Sequence, residues 1–314
     1  MKKHSLLIMI TTYARGYNLP AIVESVVSQT FKDYKIVICD DRSPKDPTDI
    51  IKKIKKQYPK VDIEHHRNHK RVGEMVNITT TLGREWDNDF KYLVLLQDDT
   101  VYLDDTFLEN GIDSLEENPD AIYFAGIHSF DGIDHMKFKN PDDSLLFKMN
   151  GLKLWRNWIP GLIHWAACIF KYDDVLRYLL STVPRKDVNN GDALLLIRFA
   201  MRNYIIIFNR LIMNVNFNKI DGGGYESNFK DPIDRFIREE KYHKIVSESA
   251  VAYKVSKEEA NAWLLKQQLN LAISTIDRMG QNPELLKKFM LTLMDYDRNL
   301  PILILDTLFE QAMS

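Results

Sequence analysis

The sequence predicts an α/β protein with a mostly parallel central sheet flanked by helices, followed by a helical C-terminal region. Three observations carry this. Short apolar runs recur about every thirty residues through the first half, with helix-patterned segments between them, as successive strand–helix–strand units require. One run, Tyr92 to Leu96, ends directly in Gln97-Asp98-Asp99-Thr100, and open α/β sheets bind ligands beyond the carboxyl ends of their strands. After about Asp231 the strand pattern gives way to helical periodicity.

The elements follow in order. Ser5 to Thr11 is a fully buried strand, apolar without alternation. Leu19, Ile22, Val23, Val26 and Val27 repeat at helical spacing around Pro20, a first-turn residue. Tyr34 to Cys39 is the second strand. Ile50, Ile51, Ile54 and Tyr58 give the next helix its apolar face, and Lys52, Lys53, Lys55 and Lys56 its solvated one. Val61 to His65 is a third short strand, Met75 to Trp86 a helix, and Tyr92 to Gln97 and Ala121 to Ile127 are further strands. Asp131 to Leu154 is polar and irregular and reads as loops over one face. Trp165 to Phe170 is apolar, Asp173 to Leu180 and Asp192 to Met201 are helices, and Tyr204 to Phe217 is a strand rich in Ile, Val and Phe. Glu258 to Met279, Pro283 to Met294 and Pro301 to Met313 are helix-patterned. The chain therefore divides into residues 1–230 and a helical region, 231–314.

With 314 residues, 45% of them hydrophobic and 27% charged, the chain can bury a large core as a globular protein. Its 42 basic and 44 acidic residues give a net charge of −2, without the overall basic footprint of a nucleic-acid binder. Cys39 and Cys168 stand in apolar stretches without metal-ligand spacing and read as buried free thiols of a reducing compartment. The apolar run after Ser5 is too short for a signal peptide, and no run approaches the length of a membrane span. A cytoplasmic location is expected, with peripheral contact at the inner face of a membrane left open.

The chemistry-bearing residues cluster at strand ends. The first strand ends in Thr11-Thr12-Tyr13-Ala14-Arg15, where hydroxyls, an aromatic ring and a guanidinium suit a nucleotide but equally suit a turn. The second ends in Asp40-Asp41-Arg42-Ser43-Pro44, which offers either a carboxylate for the imide N–H of uracil or a turn and cap. Asp98 and Asp99 repel one another unless a cation sits near them. Oxygen ligands suit Mg²⁺ or Mn²⁺ carrying phosphates.

In this order, with Ser28-Gln29-Thr30-Phe31 between the first two motifs, the segments resemble the family 2 glycosyltransferases, which have the GT-A fold. The resemblance runs from about Ser5 to Asp105, and Ser25 to Ser43 (SVVSQTFKDYKIVICDDRS) carries much of it. It implies a metal-dependent, inverting transfer of sugar from a UDP-sugar donor. Residues 1–105 would form the donor half and 106–230 the acceptor half. Thr11, Thr12, Tyr13 and Arg15 would surround the nucleotide and Asp41 would contact uracil. Asp99 would ligate the Mn²⁺ or Mg²⁺ that bridges the diphosphate, and Asp98 would contact the ribose or assist the metal. Gln97 stands where many members carry the first Asp of a spaced D-x-D. Within Arg67 to Asn77, a glycine-containing loop, Arg71 and Asn77 are the candidate nucleotide contacts, although the family's usual Ala-Arg-Asn run is absent.

Asp192 follows Gly191 about ninety residues beyond the acidic pair, where the family carries its catalytic base. A carboxylate must take the proton of the attacking acceptor hydroxyl, and a helix N-cap is the plain alternative. By the same resemblance Trp155, Trp158 and His164 form a donor-sugar and acceptor wall, whereas Trp165 reads as core. Asp221, opening Asp221-Gly222-Gly223-Gly224, is either a third metal ligand or part of a flexible turn. His65, His66 and His69 read as surface loop residues, since nothing fixes a tetrahedral spacing.

The implied acceptor is a glycan or lipid-linked precursor in surface polysaccharide synthesis. Trp263, Leu264, Leu271 and Ile273, with the apolar stretch Leu300 to Leu305, leave three roles open for the C-terminal helices: a homo-oligomer interface, an acceptor module or a membrane-surface contact. Two other classes compete. A nucleotidyltransferase would carry a glycine-rich basic N-terminal loop, which Thr11 to Arg15 is not. A non-catalytic sugar- or partner-binding protein on a GT-A scaffold would have lost Asp99 or Asp192, and both are present.

Overall fold

The computed structural model describes residues 4–85, 88–130, 133–134, 144–157, 163–181, 191–215, 231–280, 282–296 and 301–304. The chain forms two compact units, one from residues 1–184 and 191–220 and the other from 185–190 and 221–314.

In the first unit β1 (Leu6–Thr12), β2 (Tyr34–Asp40), β3 (Asp62–Arg67) and β4 (Tyr92–Gln97) form a parallel block in the order β3-β2-β1-β4. Every residue of β1 and β2 is buried, which is why Leu6–Ile10 and Ile36–Cys39 are unbroken apolar runs. The connections are α1 (Leu19–Val27), α2 (Thr48–Gln57) and α3 (Glu74–Arg84). Beyond β4 come β5 (Thr100–Tyr102), α4 (Phe107–Glu117), β6 (Ala121–Phe130), β7 (Ile133–Asp134), β8 (Leu146–Asn150) and α5 (Gly151–Arg156). Then follow β9 (Cys168–Lys171), α6 (Tyr172–Ser181), α7 (Gly191–Ala200) and β10 (Tyr204–Val215).

The sheet runs β3-β2-β1-β4-β9-β6-β10-β5, with β7 on β6 and β8 on β10. Because β9 is antiparallel to both β4 and β6, and β10 is parallel to β6, the six longest strands share one direction. The expectation of a mostly parallel sheet holds for the first block. The remainder is mixed, because the short strands β5, β7, β8 and β9 run the other way.

Asp131 to Leu154 is not wholly loop. β8 pairs with Tyr204–Phe208, and half-buried Phe147 and Met149 alternate with exposed Leu146, Lys148 and Asn150, but five residues are too short an alternation to separate from loop. Asn150 then caps α5 by accepting from the backbone N–H groups of Leu152 and Lys153. A side chain at Gly151 would meet the Ala200 carbonyl oxygen at 1.6 Å, so α5 and α7 approach too closely there for any other residue.

His65 and His66 lie on β3 rather than in a loop. His66 Nε2 is 3.3 Å from Glu85 and 3.5 Å from Glu64. The buried Lys35 ammonium reaches the same two carboxylates, at 2.8 and 3.0 Å. This cluster of Glu64, His66 and Glu85 thus already has its counter-charge in Lys35.

The second unit contains α8 (Pro232–Ala252), α9 (Lys257–Met279) and α10 (Pro283–Tyr296). Asp231 and Ser256 cap α8 and α9 with their side chains. Ile233 and Phe236 of α8 share a core with Ala272 and Met279 of α9 and with Phe289 and Leu293 of α10. Phe236 and Phe289 meet edge to face at 5.0 Å. Trp263 is buried and packs at nearly a right angle to the His243 ring, 6.0 Å between centroids. No helix among the described residues is long and apolar enough to cross a membrane.

Candidate functional site

In the parallel register Thr11 stands beside Cys39 on one side and Gln97 on the other. The three strand-end motifs therefore converge at one edge of the sheet. The turns leaving β1 and β2 each contain a non-glycine residue in the left-handed region, Ala14 (φ 68°) and Arg42 (φ 64°). Such residues cost on the order of 1–3 kcal/mol and need surrounding structure to hold them. Ser43 supplies part of that structure. Its hydroxyl accepts from the Ala14 N–H at 3.1 Å and donates to Asp40 at 2.6 Å. Asp40, wholly buried, also accepts from the Ser43 N–H and from Arg67.

Asp41 is buried and hydrogen-bonded through both oxygens. Oδ1 accepts from Asn68 Nδ2 at 3.1 Å and from the Val72 N–H at 2.8 Å, and Oδ2 accepts from the Gly73 N–H at 2.8 Å. Gly73 has φ 89°, a conformation that suits glycine as the chain turns into α3. Asn68 Nδ2 also donates to Asn77 Oδ1 at 2.8 Å, and Asn77 Nδ2 donates to the Cys39 carbonyl at 2.9 Å. Asn77 is only 2% exposed. Its amide is turned inward, holding Asn68 and the end of β2, and this replaces the expectation that it reaches the nucleotide. Arg71 is exposed and lies over the Tyr13 ring, 4.0 Å from its centroid, so two of the sequence-derived candidates form one stacked pair.

At the end of β4, Asp98 Oδ2 accepts from Thr12 Oγ1 at 2.9 Å and from the Tyr13 N–H at 2.8 Å. Arg15 Nη1 stands between the acidic pair, 3.4 Å from Asp98 Oδ1 and 2.5 Å from Asp99 Oδ2. No basic residue neighbours the pair in sequence, but the fold brings one. Burial pushes the Asp98 carboxyl up to about 6. The Tyr13 N–H, Arg15 and Thr12 oppose this rise, and the Asp99 charge adds to it. Burial also raises Asp99, against the lowering effect of Arg15. Asp99 Oδ1 is buried and has no hydrogen-bond partner among the described residues. An anionic oxygen left over in this way suits a hard divalent cation, so Asp99 fits the ligand role, whereas Asp98 spends its oxygens on the first loop.

Thr11 Oγ1 and Gln97 Nε2 both donate to Glu74 Oε1, at 3.1 and 2.9 Å. Gln97 thus stitches β4 to the start of α3. The sequence reading missed Glu74 and Asn68. It also missed Asn18, whose amide donates to the Asp98 carbonyl at 2.8 Å. Glu74 and Asn68 lie inside the loop segment it singled out, but nothing in a loop sequence tells which polar side chain turns inward.

Asp192 is the second residue of α7, and its side chain lies outside the described residues, as do Trp158 and Asp221. Trp155 is wholly buried. Protein encloses its ring on all sides, and this corrects its assignment to an exposed sugar wall. Trp165 is core, as expected. His164 is partly exposed. Its Nδ1 accepts from the Ala166 N–H, its ring packs 5.5 Å from His128, and burial together with His128 pushes it down to about 3, so its imidazole is neutral.

A family model described as Glycosyl transferase family 2 matches residues 7–175. Over 48 residues the chain is 50% identical to the UDP-Glc:alpha-D-GlcNAc-diphosphoundecaprenol beta-1,3-glucosyltransferase WfaP of Escherichia coli. That match spans 15% of this chain and only 19% of the relative. Among solved structures, the chain is similar to S. aureus TarS 1-349 in complex with UDP-GlcNAc, with TM-score 0.69 and 12% identity over 96% of this chain and 82% of the other. It is also similar to the mannosyltransferase PcManGT from Pyrobaculum calidifontis in complex with GDP-Man and Mn²⁺, with TM-score 0.57 and 14% identity over 97% of this chain and 84% of the other. These likenesses show the fold, GT-A with a helical C-terminal region.

Proposed function

Because this chain belongs to glycosyl transferase family 2, we propose that it moves a sugar from a UDP-sugar to a hydroxyl of a glycan or lipid-linked acceptor, with inversion at the anomeric carbon. The observation that carries this reading is the convergence at one sheet edge of Tyr13, Asp41 and the Asp98–Asp99 pair, with Asp99 Oδ1 left over.

The hydrogen bonds of Asp41 favour uridine. Each carboxylate oxygen accepts about two bonds, so Oδ1 is filled by Asn68 and Val72, and Oδ2 has one position beyond Gly73. Uracil presents a single imide N–H. Guanine presents two adjacent donors and would need both oxygens. The UDP-linked names of the E. coli and S. aureus relatives lean the same way, and the lipid-linked acceptor follows the name of the first. Such an acceptor would place the chain at the inner face of a membrane.

Asp99 would hold the Mn²⁺ or Mg²⁺, and the cation would stabilise the leaving diphosphate as a Lewis acid. Thr11, Thr12 and Gln97 keep the ends of β1 and β4 in place, Asp98 pins the first loop, and Arg15 and Arg71 offer positive charge to phosphates. In-line attack from the face opposite the leaving group needs a base on the acceptor side. Asp192, in the same compact unit, would take that proton. Trp158 and His164 would line the sugar side.

Thermal-shift titration with UDP, GDP and UDP-sugars, with and without Mn²⁺, tests the donor site. A ligand at a hundred times its Kd stabilises by about 2.7 kcal/mol. We expect a Mn²⁺-dependent rise with UDP that GDP does not match. Asp192→Asn should keep that rise while losing on the order of 10²- to 10⁴-fold in turnover. A preference for GDP would overturn the uridine assignment, and full turnover in Asp192→Asn would remove the base.

A further inference from the structure

The Arg15 guanidinium and a divalent cation on Asp99 would share one carboxylate, and resting on the reading of Asp99 as a metal ligand, we propose that Arg15 makes cation binding conditional on the donor. Asp98 and Asp99 carry two negative charges, and Arg15, bonded to both, leaves a net charge of −1. A cation arriving alone at Asp99 Oδ1 meets a half-neutralised pair and a fixed positive charge beside it. The Arg15 side chain is only 18% exposed, so water screens this repulsion poorly.

Arg15 cannot simply swing away with its loop. Its neighbour Ala14 is held in the left-handed region by Ser43, and Asp98 holds the Tyr13 N–H. A nucleoside diphosphate changes the balance, because its negative charge pairs with guanidinium and cation together. Nucleotide and cation then bind cooperatively, and the coupling is the same in both directions. Arg15 acts here as a positioning and gating charge. It discriminates against free metal rather than taking part in bond making.

The test is a Mn²⁺ titration of the full chain, followed by the EPR signal of free Mn²⁺, for wild type, Arg15→Gln and Arg15→Lys, with and without UDP. Arg15→Gln should bind free Mn²⁺ more tightly by on the order of tenfold, the change that about 1.4 kcal/mol produces. The factor by which UDP strengthens its Mn²⁺ binding should shrink equally. Arg15→Lys, which keeps the charge, should stay near wild type. Near-UV circular dichroism checks that each variant is folded, and Arg15→Met serves as the neutral variant if Arg15→Gln is not. If wild type binds Mn²⁺ with UDP but the neutral variant binds free Mn²⁺ no better, Arg15 is not the gate and the metal reading stands. If wild type fails to bind Mn²⁺ even with UDP, the metal reading falls and the gate falls with it.

Discussion

Asn68 bridges two side chains with one amide nitrogen, Asp41 on one side and Asn77 on the other. Replacing it with alanine removes a donor from Asp41 Oδ1 and leaves buried polar atoms unsatisfied, at about 1–3 kcal/mol. It also opens a second acceptor position on Asp41. Asn68→Ala should therefore bind UDP about tenfold more weakly while its UDP-over-GDP preference narrows, as isothermal titration would read. An unchanged preference would detach base recognition from this relay. The place of Asp41 at the sheet edge was legible because a strand ends beside it. Asn77 was misread although a signal existed. It falls on the buried face of α3 with Ile78, Thr81 and Leu82, a helical spacing that marks an inward residue.

Two glycines set how closely helices approach their neighbours. A Cβ at Gly111 of α4 would come within 2.4 Å of Ile169 Cδ1 and 2.7 Å of Phe124 Cδ1. The tip of Ile169 can yield, so Gly111→Ala should cost about 1–3 kcal/mol as ordinary overpacking. At Gly151 the obstacle is the Ala200 backbone carbonyl, which cannot move without displacing α7. Gly151→Ala should lower the urea midpoint further than Gly111→Ala, and the reverse order would show that the α5–α7 contact is loose. β1, β2 and β4 were readable because both their faces are covered. The short β5, β7, β8 and β9 were not, since strands of two to five residues carry too little pattern to separate from loop. In α8 the apolar positions are diluted by buried Glu239, Glu240, His243 and Ser247, so only a helical region, not this helix, could be read.

The stability of the whole molecule depends on pH through Lys35 and Glu85. Burial alone would raise Glu85, but hydrogen bonds and charge from His66 and Lys35 outweigh it and hold the carboxyl below its usual value of 4.5. A depressed acid stabilises the fold above its unfolded pKa, and that contribution is lost as pH falls through the folded value. Burial would lower Lys35, but Glu85 and Glu64 outweigh it and hold the ammonium above 10.5. Its contribution is complete below 10.5 and is lost as pH rises through the folded value. Glu85→Gln should flatten the acid limb of the stability–pH curve and cost about 3 kcal/mol near neutrality, because Lys35 stays buried with one carboxylate fewer. Urea denaturation from pH 3 to pH 7 checks this, and an acid limb as steep as that of wild type would refute it. The two-part plan of a strand-rich half and a helical remainder was visible in sequence as a change of period. The ion-pair network was not, because Lys35, Glu64 and Glu85 come from separate elements.

The Ser43 hydroxyl joins the turn after β1 to the turn after β2. Under the proposed function, a drift toward a different nucleotide would have to alter both turns at once, since a change tolerated by one alone loosens the other. A lineage built on this chain would meet two coupled constraints rather than one whenever either turn changes.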